Sequence, residues 1–142
     1  MTHGQRILAL TERLKECLGR EEDILFAYVY GSSVIEPEIS GADIDVAVYL
    51  KALETEGYLR REEELTALLV SRLHTDEIDL RILNVLPLVF QYSVLKEGSL
   101  LFSRDEQQRV DFETGVMARI FELKPYLDEY KEMLSLRIRG GK

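Results

Sequence analysis

The stretch that decides the fold is YVYGSSVIEPEISGADIDVAVY, residues 28–49. An apolar, tyrosine-rich run stops at Gly31 and Ser32, and after ten intervening residues Asp43 and Asp45 enter a second apolar run. Successive side chains of a β-strand point to opposite faces, so both aspartates leave the same face. Their Cα atoms would lie roughly 6.6 Å apart, and two ionised carboxylates at that distance repel each other. The pattern therefore indicates that something bound offsets the repulsion between the two carboxylates. A divalent cation would do so directly.

The sequence on either side of this stretch predicts a small α/β (α+β) domain with a mixed sheet flanked by helices. Residue preference and alternation predict three strands and a short edge strand, over residues 24–30, 43–50, 76–83 and 99–103. Apolar spacing and capping patterns predict helices over the segment up to Gly19, over 56–74, over 87–97, and from Ser103 to about Ile138. Pro125 is expected to break or kink the last helix.

Composition narrows the class of protein further. The chain has 142 residues, which suits a single domain over residues 1–142. Its formal charge of −8 disfavours direct binding to nucleic acid, which needs a basic surface. The single cysteine excludes a disulfide framework, and no apolar run approaches the length of a membrane span. We therefore expect a cytoplasmic protein without membrane contact.

A third aspartate extends the acidic pair. Asp79 lies on the polar side of the alternating run 76–83, and if this strand neighbours the one carrying Asp43 and Asp45, three carboxylates converge. Such oxygen ligands suit Mg²⁺ or Mn²⁺, as used for in-line phosphoryl and nucleotidyl transfer. Asp79 could also accept the proton of the attacking hydroxyl. Asp76 is a nearby competitor, but turn chemistry explains an aspartate at the start of a strand.

The turn after the first predicted strand suits a phosphate group. Gly31 lets backbone N–H groups approach an anion closely, and Ser32 adds a hydroxyl donor. A short helix beginning at Ser32 would favour an anion as well, and Pro37 would limit it to about one turn. We expect this loop to hold the β- and γ-phosphates of a nucleoside triphosphate, with the metals beside it at the α-phosphate.

These residues resemble the signature of a known superfamily. Gly31 and Ser32, ten residues, then Asp43-Ile44-Asp45 is similar to the Gly-Ser-x10-Asp-x-Asp motif of the polymerase-β-like nucleotidyltransferases. The short chain resembles the minimal nucleotidyltransferase (MNT) branch of that superfamily. Residues 95–113 and 125–134 are similar to the C-terminal part of MNT antitoxins, which are paired with HEPN ribonuclease toxins.

The resemblance implies a reaction and a set of roles. It implies transfer of AMP from ATP, with Mg²⁺ or Mn²⁺, onto a tyrosine hydroxyl of a HEPN toxin. Asp43, Asp45 and Asp79 would be the catalytic residues and the metal ligands, and Gly31 and Ser32 would bind the triphosphate. The partners implied are ATP and the HEPN toxin. The chain itself could form a homodimer or a hetero-oligomer with the toxin.

The sequence also departs from the pattern of that superfamily. Many members carry a basic residue after Gly-Ser, where this chain has Ser33, and many carry serine just before the acidic pair, where it has Ala42. Arg81, on the same predicted face as Asp79, could supply the missing cation, or it could be an ordinary surface arginine.

Two alternatives to this function remain open at the level of the sequence. One is a non-catalytic antitoxin that neutralises the toxin by covering it. The other is a nucleotidyltransferase for a small molecule such as an antibiotic, although only about 60 residues follow the third strand to build a substrate pocket. Whatever the function, the long apolar C-terminal helices could serve as part of the core or as a docking face for a partner.

Overall fold

The computed structural model describes residues 3–30, 44–75 and 77–140. Within these ranges the chain forms four α-helices, four β-strands and one short 3₁₀ helix. In chain order they are α1 (His3–Gly19), β1 (Ile24–Tyr30), β2 (Ile44–Leu50), α2 (Thr55–Leu73), β3 (Ile78–Ile82), the 3₁₀ helix (Leu83–Val85), α3 (Leu88–Glu97), β4 (Ser99–Ser103) and α4 (Glu106–Gly140). The predicted order of strands and helices is confirmed.

The four strands form one mixed sheet in the order β3–β2–β1–β4. β1 pairs antiparallel with both β2 and β4, whereas β2 pairs parallel with β3. A parallel pair needs a crossover connection, and α2 supplies it between β2 and β3. The mixed sheet and the edge position of β4 are as predicted.

One face of the sheet carries the larger apolar core. The strand residues that alternate onto this face pack against the apolar stripes of α1 and α2. They are Ile24, Ala27, Val29, Ile44, Val46, Val48, Leu50, Ile78, Leu80, Ile82 and Leu101, facing Leu14, Cys17, Leu18, Leu65, Leu69 and Leu73. Cys17 is buried within this core, as its place on the apolar stripe of α1 predicted.

The opposite face carries an aromatic cluster under α3 and α4. Phe26 stacks on Tyr49 with 4.6 Å between the ring centroids and 7° between the ring planes. Phe112 of α4 approaches Tyr49 at 5.0 Å, and Val94 of α3 is buried in the same cluster. Such offset or tilted ring pairs add to the burial of apolar area. The ring of Phe112 therefore holds α4 over this face, and the burial of Val94 holds α3.

A β-bulge near the start of β1 was not predicted. Ile24 pairs with Leu50 and Phe26 pairs with Tyr49, so Leu25 is an extra residue on β1. Because of the extra residue, Leu25 and Phe26 both join the aromatic cluster although they are consecutive.

The last helix corrects two predictions. α4 runs from Glu106 to Gly140 with Pro125 inside it, so the expectation that it breaks there is wrong. Proline removes only one backbone donor, and the turn around Pro125 is exposed, so no packed neighbour opposes a local adjustment. The N-terminal cap is Asp105 rather than Ser103: the backbone N–H of Gln108 donates to Asp105 Oδ1 at 3.0 Å.

Among the described helices, none is both long enough and apolar enough to cross a bilayer.

An ion-pair network ties α2 to the turn before β1, and it predicts a pH-dependent stability. Arg61 Nε and Nη2 donate to the two carboxylate oxygens of Asp23, each at 2.8 Å. These bonds from Arg61 hold the pKa of Asp23 below its ordinary value of 3.8. A carboxyl whose pKa is lower in the folded state stabilises the fold above its unfolded pKa and loses that contribution as the pH falls through the folded pKa.

We expect Asp23→Asn to lower the free energy of unfolding by about 1 kcal/mol at neutral pH. The difference from the wild type should stay constant down to about pH 5 and shrink below the ordinary pKa of 3.8. Urea denaturation of both chains between pH 3 and pH 7 measures it. A difference that is the same at pH 3 and pH 7 would contradict the role given to the Asp23 carboxylate.

Candidate active site

Two of the predicted site residues lie side by side on the sheet. Asp45 of β2 is the register partner of Asp79 of β3 in the parallel pair. The neighbours of each aspartate along its strand are buried in the larger core, so both aspartates belong to the opposite face. The condition stated for convergence, that the strand carrying Asp79 neighbours the strand carrying Asp45, is therefore met for these two aspartates.

The two aspartates line the sheet side of a cleft of about 480 Å³ between the sheet and α3. Tyr30 and Arg81 line the cleft beside them. The other side is an apolar wall that begins after the 3₁₀ helix and continues on α3; its residues are Leu86, Pro87, Phe90 and Val94, with Ser93 among them. We call the sheet side, with its charged and polar side chains, the charged end of the cleft, and the apolar wall its apolar end.

Tyr30 completes a row of three polar side chains across the sheet. It is the register partner of Asp45 in the antiparallel β1–β2 pair, directly before Gly31. Burial, together with the nearby carboxylates of Asp45 and Asp79, raises the pKa of Tyr30 to about 12. Its phenol therefore keeps its proton at neutral pH and stays a hydrogen-bond donor inside the cleft.

Arg81 supplies positive charge at the same end of the cleft. Its Nε lies 3.5 Å from Asp79 Oδ2, and the two side chains are about half exposed, at 51% and 47%. From the sequence alone, Arg81 could be either a functional cation or an ordinary surface arginine. The structure places it in the cleft beside Asp79.

The other three predicted site residues, Gly31, Ser32 and Asp43, lie outside the described residues. In the part of the chain that is described, no three His, Cys, Asp or Glu side chains come together as a metal site. Asp45 and Asp79 contribute two hard oxygen donors on one face, which is the ligand chemistry that Mg²⁺ and Mn²⁺ prefer. The described carboxylates therefore fit a divalent cation, with Asp43 as the remaining predicted ligand.

Sequence reasoning missed the apolar wall and Tyr30. The signal for Tyr30 was its place immediately before the Gly-Ser turn, where the side-chain alternation of β1 puts it on the same face as Tyr28. No comparable signal marked the wall, because an apolar residue of α3 gives no indication of whether a neighbour covers it.

These features define a small α+β protein with a carboxylate-lined cleft on one face of a mixed sheet. The chain belongs to the polymerase beta, nucleotidyltransferase family, whose sequence profile matches residues 12–107. This range contains the whole sheet and both described aspartates, and it agrees with the superfamily that the motif indicated.

Several solved structures share the fold. A toxin–antitoxin structure with AMP-PNP matches with a TM-score of 0.57 at 20% identity, covering 90% of this chain and 98% of that one. The MntA–HepT toxin–antitoxin matches with a TM-score of 0.53 at 20% identity, covering 91% and 97%. A complex of the tri-AMPylated Shewanella oneidensis HEPN toxin with its MNT antitoxin matches with a TM-score of 0.52 at 22% identity, covering 91% and 96%. Comparison with curated proteins gave no match.

Proposed function

We propose that this chain is an MNT antitoxin that transfers AMP from ATP to a tyrosine hydroxyl of a HEPN ribonuclease toxin. The observation that carries the proposal is the register of Asp45 and Asp79 at the charged end of the cleft, in a chain of the nucleotidyltransferase family. Solved toxin–antitoxin structures with the same fold contain AMP-PNP in one case and an AMPylated HEPN toxin in another, which supports the choice of nucleotide and acceptor.

In the proposed reaction the phenolic oxygen of the toxin attacks the α-phosphorus of ATP. A bond forms between these two atoms, the bond from the α-phosphorus to the bridging oxygen breaks, and pyrophosphate leaves. The phenolic proton passes to the carboxylate of Asp79. With 47% of its side chain exposed, Asp79 can then release that proton to solvent.

In the proposed reaction, residues in and around the cleft would bind the metal ion and the phosphates. Asp45 and Asp79, together with Asp43, would hold Mg²⁺ or Mn²⁺, which when bound offsets the negative charge of the phosphates. Gly31 and Ser32 would hold the β- and γ-phosphates. Arg81 would supply the positive charge that many members of the superfamily carry after Gly-Ser, and its half-exposed guanidinium can reach toward a phosphate oxygen.

Transfer of AMP would silence the toxin through charge. The new phosphodiester carries a negative charge, and a HEPN ribonuclease must bind a polyanion. A negative group fixed near its active site repels RNA, as phosphorylation does next to acidic groups.

We expect the toxin to gain the mass of AMP on a tyrosine when it is incubated with this chain, ATP and Mg²⁺. Intact-mass spectrometry of the toxin, with its RNase activity measured in parallel, checks this. EDTA should prevent the gain in mass, and so should replacement of the acceptor tyrosine by phenylalanine. A toxin of unchanged mass whose RNase activity is nevertheless lost would show neutralisation by covering and would contradict the proposal. Nucleotide transfer to an aminoglycoside without a protein partner would contradict it as well.

A further inference from the structure

The apolar end of the cleft carries a large aromatic side chain in solvent. Phe90 is 60% exposed, although Val94, one helical turn further along α3, is buried. Leu86 and Pro87 continue the apolar surface on the side where the chain enters α3. An exposed aromatic ring that borders a charged cleft is a suitable surface for a flat ligand.

The wall is held in place by a buried polar residue. Gln91 is only 8% exposed, and its side-chain Nε2 donates to the carbonyl oxygen of Leu83 in the 3₁₀ helix at 2.8 Å. The backbone N–H groups of Phe90 and Gln91 both donate to the carbonyl oxygen of Pro87, at 2.9 and 3.0 Å. These hydrogen bonds hold the first turn of α3 against the segment before it. They therefore fix the backbone position from which the Phe90 side chain extends.

Ser93 gives the wall one hydrogen-bonding preference. Its hydroxyl donates its proton to the carbonyl oxygen of Val89 at 3.1 Å. The Ser93 oxygen can then only accept a hydrogen bond from a ligand. A ligand that suits this wall has a flat face for Phe90 and a donor, such as an exocyclic amine, at its edge.

We propose that this wall binds the adenine base of ATP, with the base stacked on Phe90 and its exocyclic amine donating to Ser93. The inference rests on the proposed function, because that function places the phosphates of the same nucleotide at Asp45 and Asp79. A nucleotide matches both ends of the cleft, with charged phosphates at one end and a flat base at the other. The ring of an acceptor tyrosine matches them less well, because its only donor is the hydroxyl required at Asp79, which leaves Ser93 without a donor.

The test is the affinity of the full chain for MgATP in the absence of any partner, measured by titration calorimetry. Phe90→Ala should weaken binding about tenfold, which corresponds to 1.4 kcal/mol and lies within the range for loss of one base–aromatic stack. Phe90→Trp should restore the wild-type affinity, whereas Phe90→Leu should not, because leucine keeps the apolar bulk without the π face. Phe121→Ala, which removes a 78% exposed ring from α4, is the matched control and should bind MgATP as the wild type does.

A second comparison tests the role of Ser93. The wild type should bind MgATP more tightly than magnesium inosine triphosphate, whose base has an oxygen in place of the amine, and Ser93→Ala should remove this preference. Unchanged MgATP affinity in Phe90→Ala, with a raised KM for the toxin, would assign the wall to the acceptor and overturn the inference while leaving AMP transfer intact. A wild-type chain that binds no MgATP would overturn both this inference and the proposed transfer of AMP.

Discussion

Replacing Asp79 with asparagine should lower the rate of AMP transfer to the toxin by about two to four orders of magnitude, the range that a general acid or base contributes. Asparagine keeps the size of the side chain but has no negative charge, so it neither accepts the phenolic proton nor pairs with a cation opposite Asp45. The initial rate of the toxin's gain in mass, measured at saturating ATP and Mg²⁺, gives the effect directly.

The matched control is Asp128→Asn, which removes an exposed carboxylate from α4 outside the cleft. Its rate should equal that of the wild type. Asp79 is half exposed and lies outside both apolar clusters, so Asp79→Asn should unfold at the same urea concentration as the wild type. A folded Asp79→Asn variant with a rate within about twofold of the wild type would remove Asp79 from the reaction.

Replacing Phe26 with alanine should lower the free energy of unfolding by about 3 to 5 kcal/mol, as expected for truncating a fully buried aromatic residue. Phe26 is the centre of the aromatic cluster: it stacks on Tyr49 and contacts the rings of Tyr28 and Phe112, at centroid distances of 5.9 and 5.7 Å. The variant loses these ring contacts and leaves a cavity under α4. Urea denaturation followed by circular dichroism measures the change.

Phe121→Ala serves as the control for this prediction too. Because its ring is 78% exposed, the free energy of unfolding should change by no more than about 0.5 kcal/mol. The result that would contradict the aromatic cluster as the anchor of α4 is a loss of less than about 1 kcal/mol in Phe26→Ala.

Side-chain alternation correctly predicted the face of the sheet that Asp45 and Asp79 share. A strand has a period of two, so the buried neighbours of Asp45 and Asp79 fixed which face each aspartate takes. Alternation does not say which residue lies opposite which. That register depends on the crossover through α2, and it makes Asp45 and Asp79 direct partners.

The apolar wall shows why part of the cleft could not be predicted. Phe90 and Val94 are four residues apart on α3, so the same helical stripe contains both, and a helical pattern treats them alike. Both side chains line the cleft, but only Val94 is also buried in the aromatic cluster. Exposure at this point depends on how far the sheet extends under α3, which is a property of the packed fold.

Local signals misplaced the start of α4 for a similar reason. Ser103 and Glu106 have the spacing of a capping box, but so do Asp105 and Gln108. Ser103 is the last residue of β4, so its backbone continues the strand, and the helix begins at Glu106, directly after Asp105. Where two residues could cap the same helix, the residue that already belongs to a strand is excluded as the cap.

The most direct test of nucleotide transfer compares two isotopic labels of ATP. The toxin is incubated with this chain, Mg²⁺ and ATP labelled on either the α- or the γ-phosphate, and protein-bound label is counted after denaturation. Transfer of AMP predicts that α-label stays on the toxin and that γ-label leaves with pyrophosphate. Stable γ-label on the toxin would indicate phosphoryl transfer, and no label of either kind would indicate neutralisation without chemistry; either result contradicts the account.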